Sequence, residues 1–179
     1  MASSSLNRQP YELLETNNGF AFLTEAGQPY AIYFTDGSGY FPECSFSEHV
    51  FTFGFTPLIK TSDPITEFLP FKINREKGDV IDFDDRVSST VANTIKLFFQ
   101  DNRSILIYVC DEENGRHFAR NKLFNIWFKT FADSKILKKQ FVNDNNICST
   151  ILYKADNPFA KELEESLPEA IMKIKLMLN

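Results

Sequence analysis

The chain is poor in the residues that most often carry chemistry. Its 179 residues include three cysteines, Cys44, Cys110 and Cys148, far apart and without a C-x-x-C pair, and only two histidines. An odd number of scattered thiols supplies neither a disulfide framework nor a zinc set, so no metal is expected. Reduced thiols in a cytoplasmic protein are the economical reading. No apolar run approaches membrane-spanning length, and the polar start Met1-Ala-Ser-Ser-Ser-Leu-Asn-Arg lacks the apolar core of a signal peptide. Repeats and low-complexity tracts are absent. Asp36-Gly37-Ser38-Gly39 reads as a turn, because no helix signal follows it to make a phosphate cradle. No acid-x-Lys ending follows Asp111, which argues against a metal-dependent nuclease.

Aromatic residues are abundant. Nineteen phenylalanines within a 43% hydrophobic composition can build a substantial core. A net charge of −5 argues against general attraction to nucleic acid or to anionic membrane. The charge is unevenly laid out, however. Residues 116–139 hold seven basic side chains against the single acid Asp133, a net +6 that leaves −11 for the rest. Of these, Lys122, Lys129, Lys135, Lys138 and Lys139 form a candidate basic patch suited to an acidic partner.

Hydrophobic periodicity predicts the elements in order. Residues 1–10 read as a disordered lead-in, and residues 11–179 as a single domain. Tyr11–Leu14 suits a short helix or an edge segment. Strands are predicted at 19–25, 30–35 and 50–56, with His49 as an edge residue. Residues 57–83 read as a long connection with one short strand near 68–73. Asp84 or Asp85 can cap a helix to about Asn102, followed by a strand at 104–110. The next helix begins near Arg116, residues 135–146 are a polar connection, and 147–154 form a further strand. Asn157 caps a last helix with Pro158 at its first position, and Pro168 is expected to break or kink it, leaving a second piece from about Glu169 to Leu178. The fold class is therefore α+β: a mixed, mainly antiparallel sheet in the order β-β-β-α-β-α-β-α, with helices packed on it. The strands at 50–56 and 104–110, joined by a crossover helix, should be parallel neighbours.

Residues 103–131 organise the rest. Ser104–Cys110 is apolar on both faces, as an interior strand requires. Cys110 belongs to that buried run, so it reads as an inert thiol and not as a nucleophile served by His117. After the acidic turn at 111–115, a helix carries Ala119, Leu123, Phe124, Trp127, Phe128 and Phe131 as one stripe. Arg120 falls within this stripe and Arg116 one turn earlier. A desolvated cation needs an anion, and the nearest acids are Asp111, Glu112 and Glu113, with Asp84 and Asp85 available from another element. Asp111 at the strand tip is the expected mate of Arg120. Two readings stay open: an ion pair joining strand to helix, or anion-binding arginines at the carboxyl end of the strand.

The segment Tyr108-x-Cys110-Asp111, Gly115-Arg116, Ala119-Arg120 and Leu123-Phe124-x-x-Trp127-Phe128 resembles the core of an uncharacterised bacterial domain-of-unknown-function family. The N-terminal aromatic hairpin and the Asn157-Pro158 helix start fit the same family, whereas the 57–83 connection departs from it. The element layout is also similar to GNAT-type N-acetyltransferases. That likeness implies an acetyl-CoA site at the start of the first crossover helix, with Arg86 leading a phosphate-binding pattern. Ser89 and Val91 stand where small residues belong, so the implied coenzyme A site is degenerate. The sequence thus points to a small binding protein with a protein partner, in an immunity, antitoxin or defence-accessory role, with no cofactor. An acyltransferase relative is the alternative.

Overall fold

The structure is a computed structural model that describes residues 9–58, 71–73, 80–111, 117–131, 134–144 and 147–177. The chain runs β1 (Leu14–Thr16), β2 (Gly19–Leu23), β3 (Pro29–Asp36), β4 (Val50–Pro57), β5 (Phe71–Ile73), β6 (Val80–Phe83), α1 (Asp85–Phe98), β7 (Ile105–Asp111), α2 (His117–Phe131), β8 (Ile136–Asp144), β9 (Ile147–Lys154) and α3 (Ala160–Met177). One sheet holds seven strands in the order β1-β2-β3-β4-β7-β9-β8, and a second pairs β5 with β6. The α+β class and the mainly antiparallel sheet agree with the sequence reading. By Cα proximity the chain forms two compact units, Met1–Tyr33 with Phe55–Thr94, and Phe34–Gly54 with Ile95–Asn179.

The first unit is an aromatic meander. Thr16 faces Gly19 across the two-residue link Asn17-Asn18, so β1 folds back on β2. At the next corner Gly27 takes φ +76°, and Thr24 donates its backbone N–H to the Gln28 carbonyl at 3.0 Å. Period-two alternation puts Phe22, Tyr30 and Ile32 on the inner face, all nearly fully buried. Their rings join Tyr11 and Phe55 in a stack, with Tyr11–Phe22 centroids 5.7 Å apart and Tyr30–Phe55 5.1 Å apart. The start of α1 adds buried Val87 and Val91. Asp84 caps this helix: its Oδ1 accepts the Arg86 N–H at 3.0 Å.

The second unit centres on β7. As expected, β7 is an interior strand, parallel to β4 through Val50↔Ile105 and antiparallel to β9 through Cys110↔Cys148. Ile105, Ile107, Ile151 and Tyr153 form one buried cluster with Leu163 and Ala170 of α3. Tyr108 on the other face points its hydroxyl at Asn121 of α2, 3.4 Å away. The two helices therefore cover opposite faces of these strands.

Three expectations need correction. Residues 136–144 form β8, paired with β9, and not a polar connection. It is the outermost strand, where charged side chains such as Lys138 and Lys139 are tolerated because half of the strand's polar groups face no neighbour. Second, α3 runs unbroken through Pro168. Leu163, Leu167, Ala170 and Ile171 keep packing on the same cluster on both sides of the proline, and this burial offsets the lost hydrogen bond. Third, two more short strands, β1 and β6, lie where the sequence reading placed an undecided edge segment and a connection. No helix among the described residues is long and apolar enough to cross a membrane.

Candidate functional site

The site grows out of β7, β8 and α2. On β7 and β9 the residues turned toward α2 are Tyr108, Cys110, Cys148 and Thr150, alternate positions of paired strands. All four are buried. Lys138 of β8 opposes Leu152 of β9, whose other neighbour is Leu106, and so shares that face. Its Nζ lies 5.5 Å from the centre of the Tyr108 ring and 5.3 Å from that of Phe128, and it donates a hydrogen bond to the Asn125 side-chain carbonyl. Burial and the nearby Lys129 cation push the Lys138 amine down to about 8. Burial also pushes the Tyr108 phenol up to about 12. Desolvation raises the Cys148 thiol too, which makes it a poorer thiolate source.

Of the other predicted lysines, Lys139 points to the opposite face. There it pairs with Glu164 and lies 5.9 Å from the Tyr153 ring centre. That carboxylate holds the Lys139 amine above its ordinary value. Lys135 is exposed in the turn before β8, while Lys122 and Lys129 are exposed on α2. The structure therefore brings Lys122 and Lys129 together on one helix and sends Lys138 and Lys139 to two different faces.

The helix itself carries a pattern the sequence reading missed. α2 contains no carboxylate. Around its axis, Trp127 and Asn121 are buried, whereas Phe118 and Ile126 are 54% and 50% exposed. Positions 118, 122, 126 and 129 follow helical spacing, so an aromatic, an aliphatic and two cationic side chains form one outward stripe. The signal was present in the sequence as a helix apolar on both faces, but the inner stripe alone was read as informative.

Arg120 is half-buried, in line with Phe124 and Trp127 on the inner side of α2. Its proposed mate Asp111 ends β7, but that side chain, together with Glu112, Glu113 and Arg116, lies outside the described residues. Arg86, the remaining candidate, belongs to the first unit. Its guanidinium stacks 4.0 Å over the Tyr11 ring, donates to the Gln9 carbonyl at 3.0 Å and pairs with Glu25. The open cleft beside it is lined by Glu12 and Glu25 as well as Leu14 and Leu23, an acidic setting for an anion ligand. Among the described residues no cluster of His, Cys, Asp or Glu could hold a metal ion.

No curated protein and no solved structure matches this chain, so the likeness to N-acetyltransferases finds no support. The matched family range starts at Phe83 and leaves out the N-terminal hairpin, but it contains β7, α2 and the Asn157-Pro158 turn. The candidate site thus lies in an uncharacterised domain: residues 83–169 match the family model of DUF6169, a family of unknown function.

Proposed function

We propose that the protein works by binding, and that its partner is an acidic protein segment docking on the outer face of α2. The observation that carries this reading is the stripe Phe118, Lys122, Ile126 and Lys129, in which two half-exposed apolar side chains alternate with two exposed amines on a carboxylate-free helix. Large apolar residues give an interface its anchoring contacts, and flanking charges of one sign select and steer a partner of the other. On a protein of net charge −5, a locally cationic face is where an acidic partner meets the least repulsion. Catalysis is a weaker reading, because both buried thiols sit inside the sheet and nothing on the outer stripe can act as acid or base near neutral pH.

The test is an NMR titration of the full chain with a synthetic amphipathic peptide of Glu and Leu. Shifts should concentrate at Phe118, Lys122, Ile126 and Lys129 and weaken as salt shortens the screening length. The double reversal Lys122→Glu/Lys129→Glu should abolish them while leaving the thermal midpoint unchanged, since both side chains are exposed. Peptide binding that survives the reversal, or shifts that avoid α2, would remove this reading. A single-stranded oligonucleotide binding more tightly than the peptide would replace the partner class.

A further inference from the structure

We propose that Lys138 is a covalent capture site for small aldehydes. The inference does not depend on a partner docking on α2, since Lys138 lies on the sheet beneath that helix, although Lys129 of the outward stripe is one of the charges that act on it.

Three features set Lys138 apart from the other described lysines. Its amine stands between two rings, 5.5 Å from the centre of Tyr108 and 5.3 Å from that of Phe128. Its hydrogen-bond acceptor is the neutral amide of Asn125, whereas Lys139 and Lys161 face carboxylates. Among the described residues no carboxylate comes within ion-pairing distance of it, and the charged or titratable groups that act on it are Lys129 and Cys110. A half-buried ammonium with no counter-charge is the form of lysine that sheds its proton most readily. The consequence is a sizeable neutral fraction near physiological pH, where exposed lysines are almost wholly protonated.

The surroundings fit a particular electrophile. The flanking rings of Tyr108 and Phe128 present apolar surface beside the amine, which favours a hydrocarbon or aromatic body over a charged one. The amides of Asn125 and Asn121 and the hydroxyl of Tyr108 lie along one connected path, Asn125 Nδ2 to Asn121 Oδ1 at 3.5 Å and Tyr108 Oη to the same oxygen at 3.4 Å. Such groups can bond the oxygen of a carbonyl without supplying a competing charge. In the reaction, the neutral amine adds to the aldehyde carbon and forms a C–N bond. The carbonyl oxygen takes up both amine protons and leaves as water, giving an imine. No oxidant or reductant is consumed.

The probe is benzaldehyde with cyanoborohydride, which fixes the imine as a benzylamine that peptide mass mapping can locate. On the folded full chain at pH 7.5, Lys138 should be labelled at least about tenfold faster than Lys122 or Lys129, because far more of its amine is neutral. Its rate should climb through pH 8. Asn125→Asp, which puts a carboxylate against the amine, should slow Lys138 several-fold and leave Lys122 unchanged. Should that variant fail to fold, Lys138→Arg should remove the fast phase of total labelling. Labelling of Lys138 at or below the rate of the exposed lysines, or a fast phase that survives Lys138→Arg, overturns the proposal.

Discussion

Lys138 and Lys139 are adjacent in β8, yet they hold opposite electrostatic positions on opposite faces of the sheet. Lys138 rests among rings and amides, with its amine pushed down to about 8 by burial. Lys139 pairs with Glu164, which holds it above the usual lysine value. The sign of each contribution follows. Between pH 8 and about 10 the unfolded chain keeps the Lys138 proton that the folded state has released, so this residue makes stability rise with pH there. Lys139 works the other way, stabilising at lower pH and losing that contribution as the solution passes its folded value. Tyr108, raised to about 12, also opposes Lys138 above pH 10, because the unfolded phenol ionises first. Side-chain NMR should give a Lys138 midpoint near 8 and a Lys139 midpoint above the free-lysine value. In denaturant titrations, Lys138→Met should flatten the rise between pH 8 and 10.

Gly19 is fixed by a close approach of backbone to backbone. It adopts φ +156°, and a Cβ placed there would lie 2.2 Å from the Ile32 carbonyl oxygen and 2.8 Å from the Tyr33 Cα. Main chain cannot swing aside as a flexible side chain could. Gly19→Ala should therefore destabilise by roughly 2 kcal/mol or more, the order expected of overpacking combined with backbone strain. Gly27, at φ +76° with open space around it, is the control. There Ala should cost only about 1 kcal/mol and Asn less, since Asn tolerates the left-handed region. Urea unfolding midpoints of the three variants would check the order.

Asp84 does two jobs with its two oxygens. Oδ1 accepts the Arg86 N–H at 3.0 Å as a helix cap, and Oδ2 accepts the Tyr11 hydroxyl at 2.8 Å. Tyr11 is itself anchored by its own backbone N–H, which donates to Thr90 Oγ1 at 2.7 Å. Asp84→Ala should cost about 2–3 kcal/mol, as loss of a cap joins loss of a hydrogen bond to a charged group. Asp84→Asn keeps one acceptor oxygen, enough for the cap, but replaces the other with an amide donor, so it should recover only part of that. Tyr11→Phe should cost about 1–2 kcal/mol, because it removes the hydroxyl and leaves the stacked ring in place. Thermal unfolding of the three variants, with Tyr11→Phe/Asp84→Ala added to form a cycle, would show a combined loss smaller than the sum.

What could be read from the sequence follows from how local each signal is. The interior strand β7 announced itself by being apolar on both faces, and the crossover rule then made it a parallel neighbour of β4. Asp84 and Asn157 were visible because turn and cap chemistry acts over two or three residues. β8 was hidden because an edge strand needs no apolar alternation, and Lys138 and Lys139 read as loop. Pro168 misled for a related reason: the packing of Leu163 and Ala170 that carries α3 past it is tertiary. The candidate site was half legible. Lys122 and Lys129 were named from charge alone. The aromatic enclosure of Lys138 depends on β8 pairing with β9, which no local pattern revealed.

Asn157 is the joint between the start of β7 and the start of α3, and its loss should be felt at both. It is 5% exposed. Its Nδ2 donates to the carbonyls of Arg103 at 3.1 Å and Ser104 at 3.3 Å, while its Oδ1 accepts the Phe159 N–H at 2.8 Å. The two ends of the amide thus serve different chain segments, and no other side chain of this size carries a donor and an acceptor on separate atoms at neutral pH. Asn157→Asp keeps the acceptor but aims a carboxylate at two carbonyl oxygens, so it should cost about 2–4 kcal/mol at neutral pH. Lowering the pH should recover part of that loss, because the introduced carboxyl, once protonated, can donate one hydrogen bond again. Asn157→Ala removes both ends and should cost about 2–3 kcal/mol with no such pH dependence. Chemical denaturation of both variants at pH 7 and pH 4 separates the cases. If Asn157→Asp is equally destabilised at the two pH values, the donor half of the amide is not what holds Arg103 and Ser104 in place.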